Sequence, residues 1–311
     1  MLNIQKNIPL ANFTTFRIGG PAKFFVEVKS EEELIEALEY AKKNNLEFFI
    51  LGGGSNLLVS DDGFSGLVIK LHNTSCELQD DIIRAGAGVS IAKLIKESVE
   101  KGLVGLEWAG GLPGSLGGAI RGNAGTFGLS MKDIVESVRA YDLENQKNEE
   151  FSNAECEFAY RESIFKKKSN FIILSAVLKF RAGNKEVLQK KVQESITWRK
   201  GVFPETLSPG SFFKHTAPTE HNLKKLKELP RFSELKLHEK NTIPTGFVIE
   251  ECGLKGKKIG GAMVSEKHAN FIVNTGGATA QDVIMLSSFI KQQVRDKFGI
   301  ELQEEVQYVG F

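Results

Sequence analysis

Glycine placement constrains this chain more than any other feature of its sequence. Thirty-one of its 311 residues are glycine, where an ordinary chain carries ~7%. They crowd into 52–54, 110–118 and 122–128, with no collagen-like period. Ordering so much glycine is costly in chain entropy. Each cluster therefore needs a reason that only a residue without a Cβ can satisfy: a left-handed turn, a close backbone crossing, or backbone laid against a ligand.

The first cluster, Gly52-Gly-Gly-Ser-Asn56, lies between strand-like runs at 47–51 and 57–59. It lacks GxGxxG spacing and no helix follows, so it is not a Rossmann fingerprint. Its N–H groups can form an anion-binding nest, although a tight turn alone also accounts for it. The second cluster runs Gly110-Gly-Leu-Pro-Gly-Ser-Leu-Gly-Gly118, then Asn123-Ala-Gly125 and Gly128. Pro113 fixes one φ while the glycines leave neighbouring angles free. Close packing remains an alternative there too. Two such loops in successive α+β units point to one extended ligand lying between two domains, and a dinucleotide has the right size and charge.

Around these loops the chain alternates strand and helix signals. Residues 23–28 read as a strand. Ser30 and Glu33 form a capping box before a helix with Leu34, Ile35, Leu38 and Ala41 on one face. Residues 66–71, 81–85, 135–143 and 171–180 are further strands, with a polar turn beginning at Glu144. Ser90 caps a helix running to Lys101, with Gly102 in the C′ position. Residues 184–200 form an amphipathic helix. Thr279 and Asp282 open a long helix that Gly299 stops. Residues 218–241 read as a short helix plus a surface excursion.

Composition excludes several classes. Hydrophobic residues make up 41% and charged residues 25%, as in a folded globular chain rather than a disordered one. Forty basic and 39 acidic residues leave a net charge of +1, too little for bulk nucleic-acid binding. No signal peptide or membrane span is expected. Cys76, Cys156 and Cys252 are odd in number and far apart, which fits free thiols in a reducing cytoplasm. There is no GxxxxGK[ST], HExxH, paired CxxC or GxSxG, so neither a Walker loop, a zinc site nor a hydrolase elbow is expected, and no metal is.

The order of short motifs resembles the UDP-N-acetylmuramate dehydrogenase family, also called UDP-N-acetylenolpyruvoylglucosamine reductases. The similarity runs through Thr15-Phe-Arg-Ile-Gly-Gly-Pro-Ala22, Leu51-Gly-Gly-Gly-Ser-Asn-Leu57, Gly105-Leu-Glu-Trp108, Leu112-Pro-Gly-Ser-Leu-Gly-Gly-Ala119 and Asn123-Ala-Gly125. It continues with Cys156-Glu-Phe-Ala-Tyr-Arg-Glu-Ser163, Gly210-Ser-Phe-Phe-Lys214, Gly253-Leu-Lys-Gly256, Gly260-Gly-Ala262, Lys267-His-Ala-Asn-Phe271 and Glu304-Glu-Val306. The chain resembles the shorter branch of the family, which lacks a tyrosine-bearing substrate loop.

The resemblance implies an α+β chain of the vanillyl-alcohol-oxidase-like FAD-binding fold. Its two flavin-binding subdomains would be 1–72 and 73–204, with a substrate domain at 205–311 whose last ~10 residues return to the flavin-binding part. It implies non-covalent FAD and NADPH as reductant. The reaction would be hydride transfer from flavin N5 to UDP-N-acetylglucosamine enolpyruvate, giving UDP-N-acetylmuramate for peptidoglycan, in a cytoplasmic monomer without nucleic-acid or membrane partners. Family motifs carry catalytic roles to Arg161, to Ser211 as proton donor, and to Glu305. The cofactor set becomes Gly52, Gly53, Gly54, Ser55, Asn56, Pro113, Gly114, Ser115, Gly117, Gly118, Asn123 and Gly125. Substrate contacts fall on Tyr160, Arg199, Lys214, His215, His268 and Asn270. The family often reads Phe-Lys-Asn-Pro where this chain has Phe213-Lys214-His215-Thr216, and His215 can also donate a hydrogen bond.

Physical chemistry agrees with these roles. Hydride addition to an enolpyruvyl double bond pushes charge towards the neighbouring carbon and its carboxylate. A fixed guanidinium holds both, and a positioned hydroxyl returns the proton. The competing readings are an oxygen-using sugar or alcohol oxidase of the same fold, and a catalytically dead scaffold. The first loop contains no histidine for a covalent flavin tether, and Arg161, Ser211 and Glu305 are all present.

Overall fold

The computed structural model describes residues 2–235 and 242–311. The described chain divides into two compact units, Met1–Ile8 with Ala22–Gly54 and Ser65–Gly201, and Pro9–Pro21 with Ser55–Phe64 and Val202–Phe311.

The first unit contains two larger sheets. One has the order Gln5–Pro9, Pro21–Val28, Phe64–Leu71, Phe48–Leu51, and its last two strands are parallel. Helix Glu31–Lys43 follows the second of these strands. The Ser30 hydroxyl accepts from the Glu33 N–H at 3.3 Å, as the box predicts, but the Glu33 carboxylate reaches back to the Lys29 N–H at 2.6 Å rather than to Ser30. Leu34, Ala37 and Ala41 face the core, spaced as one helical stripe.

The other sheet is antiparallel, in the order Lys147–Ser152, Val135–Asp142, Phe171–Lys179, Ile82–Gly86, Cys76–Gln79. The polar turn at Glu144 leads straight into the edge strand Lys147–Ser152, which the sequence pattern does not reveal. Glu150 is exposed, Glu149 is half-buried on the face of Phe151, and Phe151 alone joins the core, a charged composition that suits an edge strand resisting further pairing. One face of this sheet puts Ile83, Val138, Ala176 and Leu178 against helices Ile91–Glu100 and Leu116–Arg121. From the other, Tyr141, Ile172 and Leu174 join Val26, Leu67 and Ile69 of the first sheet.

The second unit is organised by helix Ala280–Phe298. Thr279 and Asp282 cap each other reciprocally at its start, and Gly299 ends it at φ +69°, in the left-handed region where glycine is least strained. Val283, Leu286, Ile290, Val294 and Phe298 form its buried stripe, which packs with the three-stranded sheet Lys258–Ile259, Ala262–Val264, Ile272–Asn274. Strand Leu57–Val59 pairs in parallel with Gln307–Val309, and Phe16, Ile18 and Leu58 enter this core. Within 218–241, helix Glu220–Lys227 is capped by Thr219 and Asn222, and residues 236–241 lie outside the described residues. Cys76, Cys156 and Cys252 are free thiols.

Candidate active site

The two glycine loops meet each other. A Cβ on Gly53 would lie 2.5 Å from the Gly114 Cα, and one on Gly52 would lie 2.6 Å from the Ser115 Oγ. Gly117 is similarly close to Ala87, where a Cβ would sit 2.9 Å from the alanine Cβ, and its N–H donates to the Ala87 carbonyl. Contact with fixed backbone therefore excludes a side chain at 53 before any ligand is considered, while 52 is crowded by the Ser115 hydroxyl and 117 by Ala87. Pro113 and Gly118 are exposed beside this junction.

Ser115 occupies the N-cap position of helix Leu116–Arg121 without making a capping bond. It is 5% exposed, and its Oγ has no hydrogen-bond partner among the described residues. A buried hydroxyl left unpaired costs about 1–3 kcal/mol, so a polar ligand atom at this junction removes a standing penalty. Lys70, which motif reasoning passes over, donates from Nζ to the Gly52 carbonyl at 3.3 Å, and burial lowers its pKa. The only signal for it in the sequence is a lysine inside an otherwise apolar strand.

The Tyr160–Arg161 turn is held from several sides within the same unit. Ala159 and Glu162 exchange backbone hydrogen bonds at 3.0 and 3.2 Å, leaving Tyr160 and Arg161 at the tip, with Arg161 at φ +56°. The Asn123 Nδ2 donates to the Ala159 carbonyl at 2.9 Å and its Oδ1 accepts from the Lys132 N–H at 3.1 Å. Asn123 thus acts on the turn, while Gly125 permits the hairpin that follows, where a Cβ would meet the Leu129 carbonyl at 2.4 Å. Lys166 Nζ donates to the Arg161 carbonyl at 2.8 Å. The Arg161 guanidinium lies over the Tyr160 ring, 5.2 Å from its centroid. Arg199 donates from Nη2 to the Trp108 carbonyl at 3.4 Å. Burial first, and then the like charge of Arg161, lowers its pKa. A second guanidinium whose charge Arg199 feels suits an anion at this site.

In the second unit the segments that carry Ser211 and Glu305 pair through the backbone. Glu305 N–H donates to the Phe212 carbonyl at 2.9 Å and Lys214 N–H to the Gln303 carbonyl at 2.8 Å, with an antiparallel bridge at Phe213 and Glu304. Asn56 Nδ2 holds the Glu305 carbonyl at 3.1 Å, and the Asn56 carbonyl accepts from Gln307. Ser55 precedes it in the same connection. Lys214 is tied through its carbonyl to the Thr245 hydroxyl at 2.5 Å, and His215 lies between it and Thr216, which bridges to Ile243.

Asn270 is 1% exposed. Its Nδ2 donates to the Phe213 carbonyl at 2.8 Å and its Oδ1 accepts from the Phe213 N–H at 3.0 Å. Its own carbonyl accepts from Phe212 at 2.8 Å. Its amide thus closes on protein, clamping the residues that follow Ser211. His268 is packed edge-on against Phe203 and Phe271. Its Nδ1 accepts from the Asn270 N–H at 3.2 Å, and burial, then Lys255, lowers its pKa. A neutral ring in this arrangement carries its proton on Nε2.

Among the described residues no group of three or more His, Cys, Asp or Glu is placed to hold a metal ion.

Comparison with known proteins gives two family matches. The model described as UDP-N-acetylenolpyruvoylglucosamine reductase, C-terminal domain, matches residues 203–309, and one described as an FAD binding domain matches residues 22–146. The chain is similar to UDP-N-acetylenolpyruvoylglucosamine reductases of Solibacter usitatus, at 37% identity over 99% of this chain and 97% of the relative, and of Bacillus subtilis, at 38% over 99% and 94%. The crystal structure of the Thermus caldophilus reductase superposes with a TM-score of 0.79 at 31% identity, covering 99% of this chain and all of that one. The α+β class and vanillyl-alcohol-oxidase-like FAD-binding fold expected from the sequence are borne out.

Proposed function

The chain belongs to the UDP-N-acetylenolpyruvoylglucosamine reductase family, and from that premise we propose how its residues perform the reaction. It is an FAD-dependent oxidoreductase that uses NADPH to reduce UDP-N-acetylglucosamine enolpyruvate to UDP-N-acetylmuramate in peptidoglycan precursor synthesis.

One observation carries the cofactor assignment onto this chain: the Gly53–Gly114 junction, with the buried, unpartnered Ser115 hydroxyl beside it. Side-chain-free backbone of two loops and an orphaned hydroxyl fit the diphosphate of FAD. Gly52, Gly53, Gly54, Gly114 and Ser115 would hold it, with the Lys70 ammonium behind the first turn. Bound there, FAD supplies the hydride that reaches the enolpyruvyl double bond.

The remaining chemistry falls to side chains. Arg161 holds the substrate carboxylate and the charge that grows on it. Arg199 adds the second positive charge that a diphosphate requires. The Ser211 hydroxyl gives its proton to the carbon next to the one receiving hydride, with the Lys214 ammonium favouring the alkoxide left behind. Glu305, registered against Phe212, orients the substrate or a relay water. His268, neutral at pH 7, donates from Nε2. The working form is a cytoplasmic monomer, and through the cell wall its product serves cell shape and division. No helix of the described residues is long and apolar enough to cross a membrane.

The deciding experiment is the visible spectrum of the purified holoenzyme, before and after anaerobic NADPH, then after the enolpyruvyl substrate. A flavin band that bleaches with NADPH and returns with substrate is expected. A band that returns with oxygen but ignores the substrate would make this an oxidase.

A further inference from the structure

Phe127 breaks a local rule. The hairpin formed by Gly125–Thr126 and Leu129–Ser130 closes through two residues, Phe127 and Gly128, at φ +54° and +79°. Positive φ at both positions is the signature of a type I′ turn, which asparagine and glycine fill. A bulky residue in the first position is strained. Burial does not compensate, because Phe127 is 51% exposed. Its ring instead meets Trp198 edge-on, with centroids 4.7 Å apart and planes at 69°. Trp198 is itself 39% exposed near the end of helix Lys185–Val202, whereas the chain's other tryptophan, Trp108, is 3% exposed.

The surroundings are cationic. Trp198 immediately precedes Arg199, whose neighbour in charge is Arg161. The hairpin follows Asn123, which holds the Arg161 turn. Half-exposed aromatic rings, carried by the helix that bears Arg199 and by the hairpin that follows Asn123, complement a nucleoside diphosphate, the base on the rings and the phosphates on the arginines.

We propose that Phe127 and Trp198 form a nucleobase-stacking subsite whose ligand extends its diphosphate towards Arg199. This rests on the function proposed above, both of whose soluble nucleotides, the UDP-sugar and NADPH, join a base to a diphosphate. The strained turn is retained because it delivers the Phe127 ring to the base.

The test is calorimetric titration of UDP, NADP+ and inorganic diphosphate into the holoenzyme, for wild type, Trp198→Ala, Trp198→Phe, Phe127→Asn and Leu129→Ala. Loss of a stacked base weakens binding about tenfold or more. That loss is expected in Trp198→Ala and Phe127→Asn for at least one nucleotide, and which nucleotide suffers identifies the base that stacks. Binding of inorganic diphosphate should not change. Trp198→Phe should recover most of the affinity, and Leu129→Ala, on the same hairpin, should match wild type. Phe127→Asn suits the turn, so its melting temperature should hold or rise while affinity falls, which separates binding from a folding defect. Affinities within about twofold of wild type for both nucleotides, or an equal loss for inorganic diphosphate, would overturn the subsite. A holoenzyme that shows the stacking losses yet never turns over the enolpyruvyl substrate would keep the subsite and remove the function above.

Discussion

The side-chain amide of Asn270 closes both backbone hydrogen bonds of Phe213, donating to its carbonyl and accepting from its N–H. Phe213 is buried, and Ser211 lies two residues upstream. The amide therefore sets the path of the chain through the proposed proton donor. Asn270→Ala leaves a buried donor and a buried acceptor unpaired, at about 1–3 kcal/mol each. Denaturant unfolding should show a loss of about 2–6 kcal/mol. Rapid mixing of the NADPH-reduced enzyme with substrate should also show slower reoxidation. A variant destabilised by this amount but reoxidised at the wild-type rate would confine Asn270 to a structural part.

Ser211→Ala removes the proton but no buried packing, since Ser211 is only half-buried. Flavin reduction by NADPH should survive, and reoxidation by substrate should slow by several orders of magnitude, because the hydroxyl acts in the second half-reaction alone. Stopped-flow absorbance of the flavin separates the two halves. Reoxidation close to the wild-type rate would move the proton-donor role to another group.

How much of this was legible in the sequence depends on the range of the interaction. The caps at Ser30, Ser90 and Thr279 and the stop at Gly299 use partners within four residues, and the sequence announces them. Strand Lys147–Ser152 was hidden because an exposed edge strand has no apolar period to show. The Leu57–Val59 and Gln307–Val309 pairing joins segments nearly a whole chain apart, and no local pattern encodes it. At the site, the glycine clusters declared a close approach but not that the loops approach each other. Asn270 and Asn123 sit in recognisable motifs, yet that their amides close on backbone rather than on a ligand is a matter of register. Phe127 was the opposite case: a visible residue whose backbone strain no sequence pattern gives.

Gly53→Ala and Gly52→Ala should differ, although both add one methyl group to the same turn. At Gly53 the new carbon meets the Gly114 backbone, which cannot step aside; at Gly52 it meets the Ser115 hydroxyl, which can rotate. Overpacking against fixed backbone costs about 1–3 kcal/mol, here expressed in the loops that would hold FAD. Gly53→Ala should purify with little flavin and bind added FAD about tenfold to a hundredfold more weakly. Gly52→Ala should lose less, and Gly52→Ala with Ser115→Ala should not recover full affinity, because the hydroxyl is itself a proposed contact. Fluorescence titration of the apoproteins with FAD reads all three. Equal losses for the two single variants would mean that the loop junction is softer than its contacts indicate.

His268 should make the second unit sensitive to mild acid. In the unfolded chain its imidazole takes up a proton near its ordinary pKa of ~6.5. In the fold, burial between Phe203 and Phe271, and then the nearby Lys255 charge, hold that pKa lower. Between the folded value and ~6.5 the unfolded chain binds more protons, so the free energy of unfolding rises with pH across that window. On acidification, the stability tied to the neutral ring begins to fall at about pH 6.5 and goes on falling until the folded pKa is reached. His268→Gln has nothing to titrate and retains a polar side chain of similar reach. Urea unfolding from about pH 7.5 to about pH 5 should therefore give a steeper loss for wild type than for His268→Gln. The other histidines are common to both proteins and cancel in the difference. Parallel curves would mean that the ring is protonated as readily in the fold as outside it, and its Nε2 would then not be the neutral donor assigned to it here.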